Sequence, residues 1–194
     1  MYTLFSPKDP DGCELVTAIT NLGNHVLHEK TTSFEQSKAI YLETIDTVLG
    51  RARLNLNQRF WTKRSILASP LERAIIHGLV DIAEKLINNG ASVTLKIDGH
   101  NMLQILVDHI SSYHKDSFLK MAELLINNGL VIDARCREKL REKFEGYVQS
   151  AFYRAERDYP SRLKLLQSIE QEFFTLIKID QLPITKSPAS YSAL

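Results

Sequence analysis

Two histidine pairs, two cysteines and one run of cations are the side chains whose spacing could do chemistry. His25 and His28 lie three apart on a predicted helix, a spacing that lets two imidazoles grip a metal from one face. No neighbouring Cys or Asp completes a ligand set, and helical His pairs often arise by chance. His109 and His114 flank the stretch DHISSYHKDSF, with Asp108 and Asp116 close by. A His–carboxylate pair would suit acid–base work, but a polar surface loop accounts for the same residues better. Cys13 and Cys136 are too few for a disulfide scaffold and too isolated for paired metal ligation, so both are expected as reduced thiols. Arg135 and Arg137 flank Cys136 and are expected to lower its pKa, making it reactive without making it catalytic. None of the eight glycines belongs to a phosphate-cradling loop. The expectation is therefore no catalytic residue, no metal and no cofactor. An enzyme site among helices near His25, His28 or Cys13 is the alternative.

The cations cluster between Thr47 and Leu71, where Arg51, Arg53, Arg59, Lys63 and Arg64 meet no acidic residue and surround Phe60 and Trp61. Basic residues interleaved with aromatics can hold a nucleic-acid backbone or an acidic lipid headgroup. Leu54, Leu56 and Phe60 also read as an apolar stripe, and Trp61 can plug an exposed end of the fold. A solvated capping segment is thus the first expectation, and polyanion binding the second. The other charged run, RCREKLREKFE, alternates in sign and reads as the wet face of a helix.

Composition bounds the scaffold that must carry these residues. The chain has 194 residues, 44% hydrophobic and 24% charged, which suits one compact unit. A formal net charge of +1 leaves no global field to steer it towards polyanions. MYTLFSPKDPDG has no basic segment leading into an apolar run, and no uninterrupted apolar stretch approaches about 18 residues, so neither a secretory signal nor a membrane span is expected. Strong strand signals are lacking.

The positioning elements show themselves as a repeat: EKLINNG at Glu84 to Gly90 returns as ELLINNG at Glu123 to Gly129. Around the first, Leu71, Ala74 and Ile75 form one helical stripe, and Ile82, Ala83, Leu86 and Ile87 form the next, with Gly78 between them. Ser69 and Pro70 signal a helix start, and Asn88, Asn89 and Gly90 a stop. Two helices of about eight to ten residues cannot bury both faces alone and need neighbours. In the second copy Asp98-Gly99 suits a hairpin turn, and helices follow at NMLQILVD and MAELLINNG. Leu71 to Leu103 is 32 positions, but Gly90 to Gly129 is 39, leaving about seven extra residues within Asp108 to Phe118. A longer first helix or a longer connection would absorb them.

With Ser69, Pro70, Leu71, Ala74, Gly78, Ile82, Ala83, Leu86, Ile87, Gly90, Ala91 and Val93 at these spacings, the stretch resembles the ankyrin repeat. Glu72 and Ser92 depart from the family's histidine and aspartate. The resemblance implies an all-α fold: a short ankyrin-like α-solenoid of two helix-turn-helix repeats over residues 66–133. Residues 11–24, with Leu15 and Ala18 spaced as Leu71 and Ala74, faintly echo a third. Residues 1–65 would form an N-terminal helical cap, with a capping box at Ser33 and Gln36 and a stripe of Phe34, Tyr41, Ile45, Val48 and Leu49 ending at Gly50. Residues 134–180 would form a C-terminal cap through Leu140, Phe144, Tyr147, Val148 and Ala151, and then Leu163, Leu166, Ile169, Phe173 and Ile177. Residues 181–194 hold too little apolar content to pack.

Arrays of this kind bind partner proteins in a groove of hairpin tips and outward first-helix positions. The resemblance assigns the tips to Lys96, Ile97, Asp98 and His100, and the helix positions to Arg73, Ile76, His77, Ile105, Asp108 and His109. It implies a non-catalytic protein-binding module. Such arrays also occur as host-directed effectors of intracellular bacteria, which would place it in the cytoplasm or in the cytosol of a host cell.

Overall fold

The computed structural model describes residues 9–28, 32–51, 54–62, 67–110, 115–153 and 159–177, without the side chains of 25–35 and 147–163. The described chain is mainly helical: α1 (Pro10–His28), α2 (Thr32–Gly50), α3 (Pro70–Ile76), α4 (Val80–Asn88), α5 (Met102–Asp108), α6 (Lys115–Asn127), α7 (Ala134–Tyr153) and α8 (Tyr159–Leu176). Between α2 and α3, two short strands, β1 (Phe60–Trp61) and β2 (Leu67–Ala68), pair antiparallel, Phe60 opposite Ala68 and Trp61 opposite Leu67. No helix among the described residues is long and apolar enough to cross a membrane.

The duplicated LINNG is a stop signal in which the second Asn and the Gly each have a job. At the end of α4, the Ala91 N–H donates to the Leu86 carbonyl at 3.0 Å and the Gly90 N–H to that of Ile87 at 2.9 Å. At the end of α6, Leu130 donates to Leu125 at 3.1 Å and Gly129 to Ile126 at 3.0 Å. This crossed pair is the Schellman motif, which needs a residue with positive φ, and Gly90 and Gly129 supply it at 97° and 91°. Asn89 and Asn128 each add a side-chain bond at 2.8 Å to the carbonyl four residues back. The starts match as well. Ser69 accepts from the Glu72 N–H while the Glu72 carboxylate accepts from the Ser69 N–H, and Asn101 and Gln104 repeat this box on α5. Glu72, a departure from the ankyrin pattern, is engaged in holding its own helix start.

The extra residues of the second copy do not lengthen its first helix, since α3 and α5 are both seven residues. The second helix grows from nine residues in α4 to thirteen in α6, and the connection before it takes the rest. Ile110 explains the change of route. It stands where the first copy has Gly78, whose φ of 68° turns the chain back within three residues. A β-branched side chain cannot adopt that conformation cheaply, so the second copy leaves its helix differently.

Packing links the helices in alternate order. α1 packs on α2 and α3, α3 on α4 and α5, and α5 on α6 and α7, while α4 meets α6, α6 meets α8 and α7 meets α8. One apolar cluster runs through all of them, from Leu15 and Ile45 through Leu71, Leu86 and Leu103 to Phe144 and Phe173. At the far end Phe118, Phe144 and Phe173 meet in edge-on and tilted contacts with ring centroids 5.3 to 6.2 Å apart, tying α6, α7 and α8 together.

The flanks also correct several expectations. Residues 11–24 are part of one long helix, not two short ones, and the partner of α1 is α2. α2 begins at Thr32, one residue before the expected cap at Ser33, whose side chain lies outside the described set. Trp61 is 40% exposed, and it is Phe60, 1% exposed, that plugs the end, lying so close under Gly12 that any side chain there would overlap its ring. His25, His28, Phe34, Tyr147, Val148, Ala151 and Leu163 have side chains outside the described set.

Leu86→Ala is expected to cost about 2–5 kcal/mol as a truncation of a fully buried residue, measured by urea denaturation. Gly23→Ala is the sharper test of the α1–α3 contact. Helix propensity alone favours Ala by about 1 kcal/mol, but an added Cβ would overlap the His77 ring, so the net effect is expected to be destabilising by about 1–3 kcal/mol.

Candidate functional site

Of the ten residues expected to face a partner, the structure covers most. Ile97 and Ile105 are 5% and 7% exposed and belong to the core, and Ile76 packs against it. Arg73 and His77, expected to face outward, face α1: the Arg73 Nε donates to Thr20 Oγ1 at 3.1 Å, and its Nη2 donates to His77 Nε2 at 2.8 Å. His77 lies buried against Gly23. On α5, Asp108 forms an ion pair with Lys143 of α7, and His109 is half-buried beside them. The reason is common to all six helix positions, because α1 and α7 pack along the flanks of α3 and α5 and turn outward faces into seams. Only Lys96, Asp98 and His100 are exposed, and Asp98 is paired with Arg59 at 3.2 Å.

The hairpin that carries them is well formed. Ile97 and His100 exchange N–H···O bonds of 2.9 Å, and Asp98 and Gly99 between them have φ of 50° and 83°. Positive φ at both central positions is the type I′ turn that Asp-Gly favours. After the second copy no such hairpin follows. The chain runs from Gly129 through Leu130 to Asp133 directly into α7, where the Asp133 carboxylate accepts from the Cys136 N–H at 2.6 Å. Beside the one hairpin a cleft of about 550 Å³ is left open, lined by Lys96, Gly99, Asn101, Gln104, Val131, Asp133, Arg135, Cys136 and Lys139 among others.

The floor of this cleft is polar and already paired. Asn101, 8% exposed, donates through Nδ2 to Cys136 Sγ at 2.9 Å while its Oδ1 accepts from the Gln104 N–H. Burial pushes the Cys136 thiol up, opposed by the Asn101 bond and by the charges of Lys139 and Lys96. This reverses the expected activation by Arg135 and Arg137. Chain neighbours on a helix point away from one another, and Arg137 turns to the Ile132 carbonyl instead. The rim is different: Lys96, Arg135 and Lys139 are exposed, with no ion pair among the described residues, and Val131 is 79% exposed. Arg135 and Lys139 were hidden in a run read as a wet helix face. Their four-residue spacing is the signal that could have put both on one side.

Of the five residues of the expected polyanion patch, Arg51 and Arg59 are among the described residues. Arg51 pairs with Asp11 at 2.6 Å and with Glu14 at 3.6 Å, and Arg59 with Asp98 and the Leu67 carbonyl. Arg53, Lys63 and Arg64 lie outside the described residues, as does His114. No group of three potential metal ligands occurs among the described residues.

Compared with family models, curated proteins and solved structures, the chain matches none.

The seam between α1, α3 and α5 holds two histidines whose pKa values fall. His77 drops to about 4, first through burial and then through the charges of Arg73 and His109. His109 is also lowered, again mainly by burial, with Arg73 and Lys143 adding and Asp108 opposing. Since Arg73 can only donate, His77 Nε2 must accept, which fixes a neutral ring. An unfolded His77 would titrate near 6.5. Its contribution is therefore present above pH 6.5 and lost as pH falls towards 4, at up to about 1.4 kcal/mol per pH unit. His77→Gln, which can still accept from Arg73, should flatten the fall in urea-unfolding stability between these pH values; an unchanged slope would show that His77 is exposed.

Proposed function

We propose that the protein is a non-catalytic interaction module, a short ankyrin-like solenoid that holds a segment of a partner protein in the cleft between the Ile97–His100 hairpin and the start of α7. The repeated helix pairs, their matching caps and stops and their alternate packing order support the ankyrin-like reading. The observation that carries the binding role is the cleft itself: a rim of exposed cations and one exposed valine over an internally bonded floor. Interfaces of this make-up combine an apolar anchor with a polar rim. The thiol of the cleft, Cys136, is not poised for covalent work, since its pKa is raised and it is 7% exposed. Binding of a polyanion through residues 51–64 is not favoured, because Arg51 and Arg59 are engaged with carboxylates of the same chain.

A photoreactive benzoylphenylalanine in place of Val131 should trap a specific partner from cell lysate. The same group in place of Glu123, exposed on α6, should not. Adducts of equal yield at both positions, or at Glu123 alone, would remove the cleft as the binding face.

A further inference from the structure

Lys96 reaches the cleft from the hairpin, and Arg135 and Lys139 reach it from consecutive turns of α7. Their only acidic companion in the lining, Asp133, holds its carboxylate against the first turn of α7. The nearby Asp98 is paired with Arg59. In a chain whose formal net charge is only +1, this gathers positive charge that has no ion pair among the described residues on one open face. We infer that the cleft recognises an extended acidic segment of the partner, a run of Asp and Glu side chains laid between the hairpin and α7, with Val131 as an apolar contact at the edge. This deepens the proposed protein-binding role and rests on it.

The layout favours a run of carboxylates over one small anion. A small anion is held by buried donors that converge on it, whereas here the Asn101 amide at the floor already serves Cys136 and Gln104. The cations stand exposed and apart on two elements. Each exposed pair contributes little by itself, so useful affinity needs several carboxylates meeting several cations at once. A volume of about 550 Å³ open to solvent suits a stretch of side chains better than a folded surface.

The test uses fluorescence polarisation with the whole protein and a labelled peptide of about ten residues alternating Glu and Ser, beside a Gln–Ser analogue. At low salt the Glu peptide should bind at least about tenfold more tightly, and raising NaCl from about 50 to 500 mM should remove most of that difference. Lys96→Gln with Arg135→Gln and Lys139→Gln should abolish it without moving the thermal midpoint, while Lys120→Gln with Lys164→Gln, both exposed elsewhere, should keep it. Lys96→Gln alone, which should weaken binding about two- to fivefold, decides the matter if the triple variant fails to fold. Equal affinity for the two peptides, or binding that survives these substitutions, overturns the inference. So does an oligothymidylate of similar length that binds more tightly than the Glu peptide, since it would assign the cations to a nucleic-acid backbone. The photo-adduct at Val131 separates the two levels: one that persists in the triple variant keeps the protein-binding role and discards acidic recognition.

Discussion

Helices of seven residues do not hold themselves together in water, and α3 and α5 are seven residues long. What keeps them folded is burial between neighbours, with Leu71, Ala74 and Ile75 of α3 and Leu103 and Leu106 of α5 at most 1% exposed. The capping boxes and Schellman stops fix where each helix begins and ends, but the driving force is the apolar seam from α1 to α7. A helix covered on both flanks has little surface left to offer. In the proposed reading, recognition is thereby pushed off the helix bodies and onto their N-terminal ends and the hairpin.

The same constraint explains why there is a cleft at all. Between the two copies the chain spends residues on a projecting hairpin, but after the second it has none and Asp133 starts α7 at once. One wall of the groove therefore has no counterpart, and the space beside it is bounded by the first turns of α7. Those turns carry Arg135 and Lys139, and the hairpin carries Lys96. At the floor Asn101 joins Gln104 of α5 to Cys136 in the first turn of α7.

Local features were legible in the sequence, and lateral ones were not. Ser69, Pro70, Asn89, Gly90 and the Asp98-Gly99 turn act through bonds to residues within a few positions, so their spacing is enough to read them. Tyr41, Ile45, Val48, Leu140, Phe144, Ile169 and Phe173 declared their helices through period alone, and all pack on or in the core. The fate of His77, Ile105 and Asp108 depended on α1 and α7 arriving alongside from distant parts of the chain. Gly23 was the hint, since a glycine in mid-helix signals close approach, but it does not say what approaches. Cys136 misled for a related reason: the arginines beside it in sequence are not among the charges that act on it, while the lysines that do act sit forty residues earlier, in the fold's other wall, and about one turn along its own helix.

Methyl NOE spectroscopy on protein labelled at Ala, Ile and Leu tests the seam most directly. Side-by-side packing of α3 and α5 predicts cross-peaks between the methyls of Leu71, Ala74 and Ile75 and those of Leu103 and Leu106. A spectrum with contacts inside each helix pair but none between α3 and α5 would contradict the arrangement, and with it the cleft that depends on it.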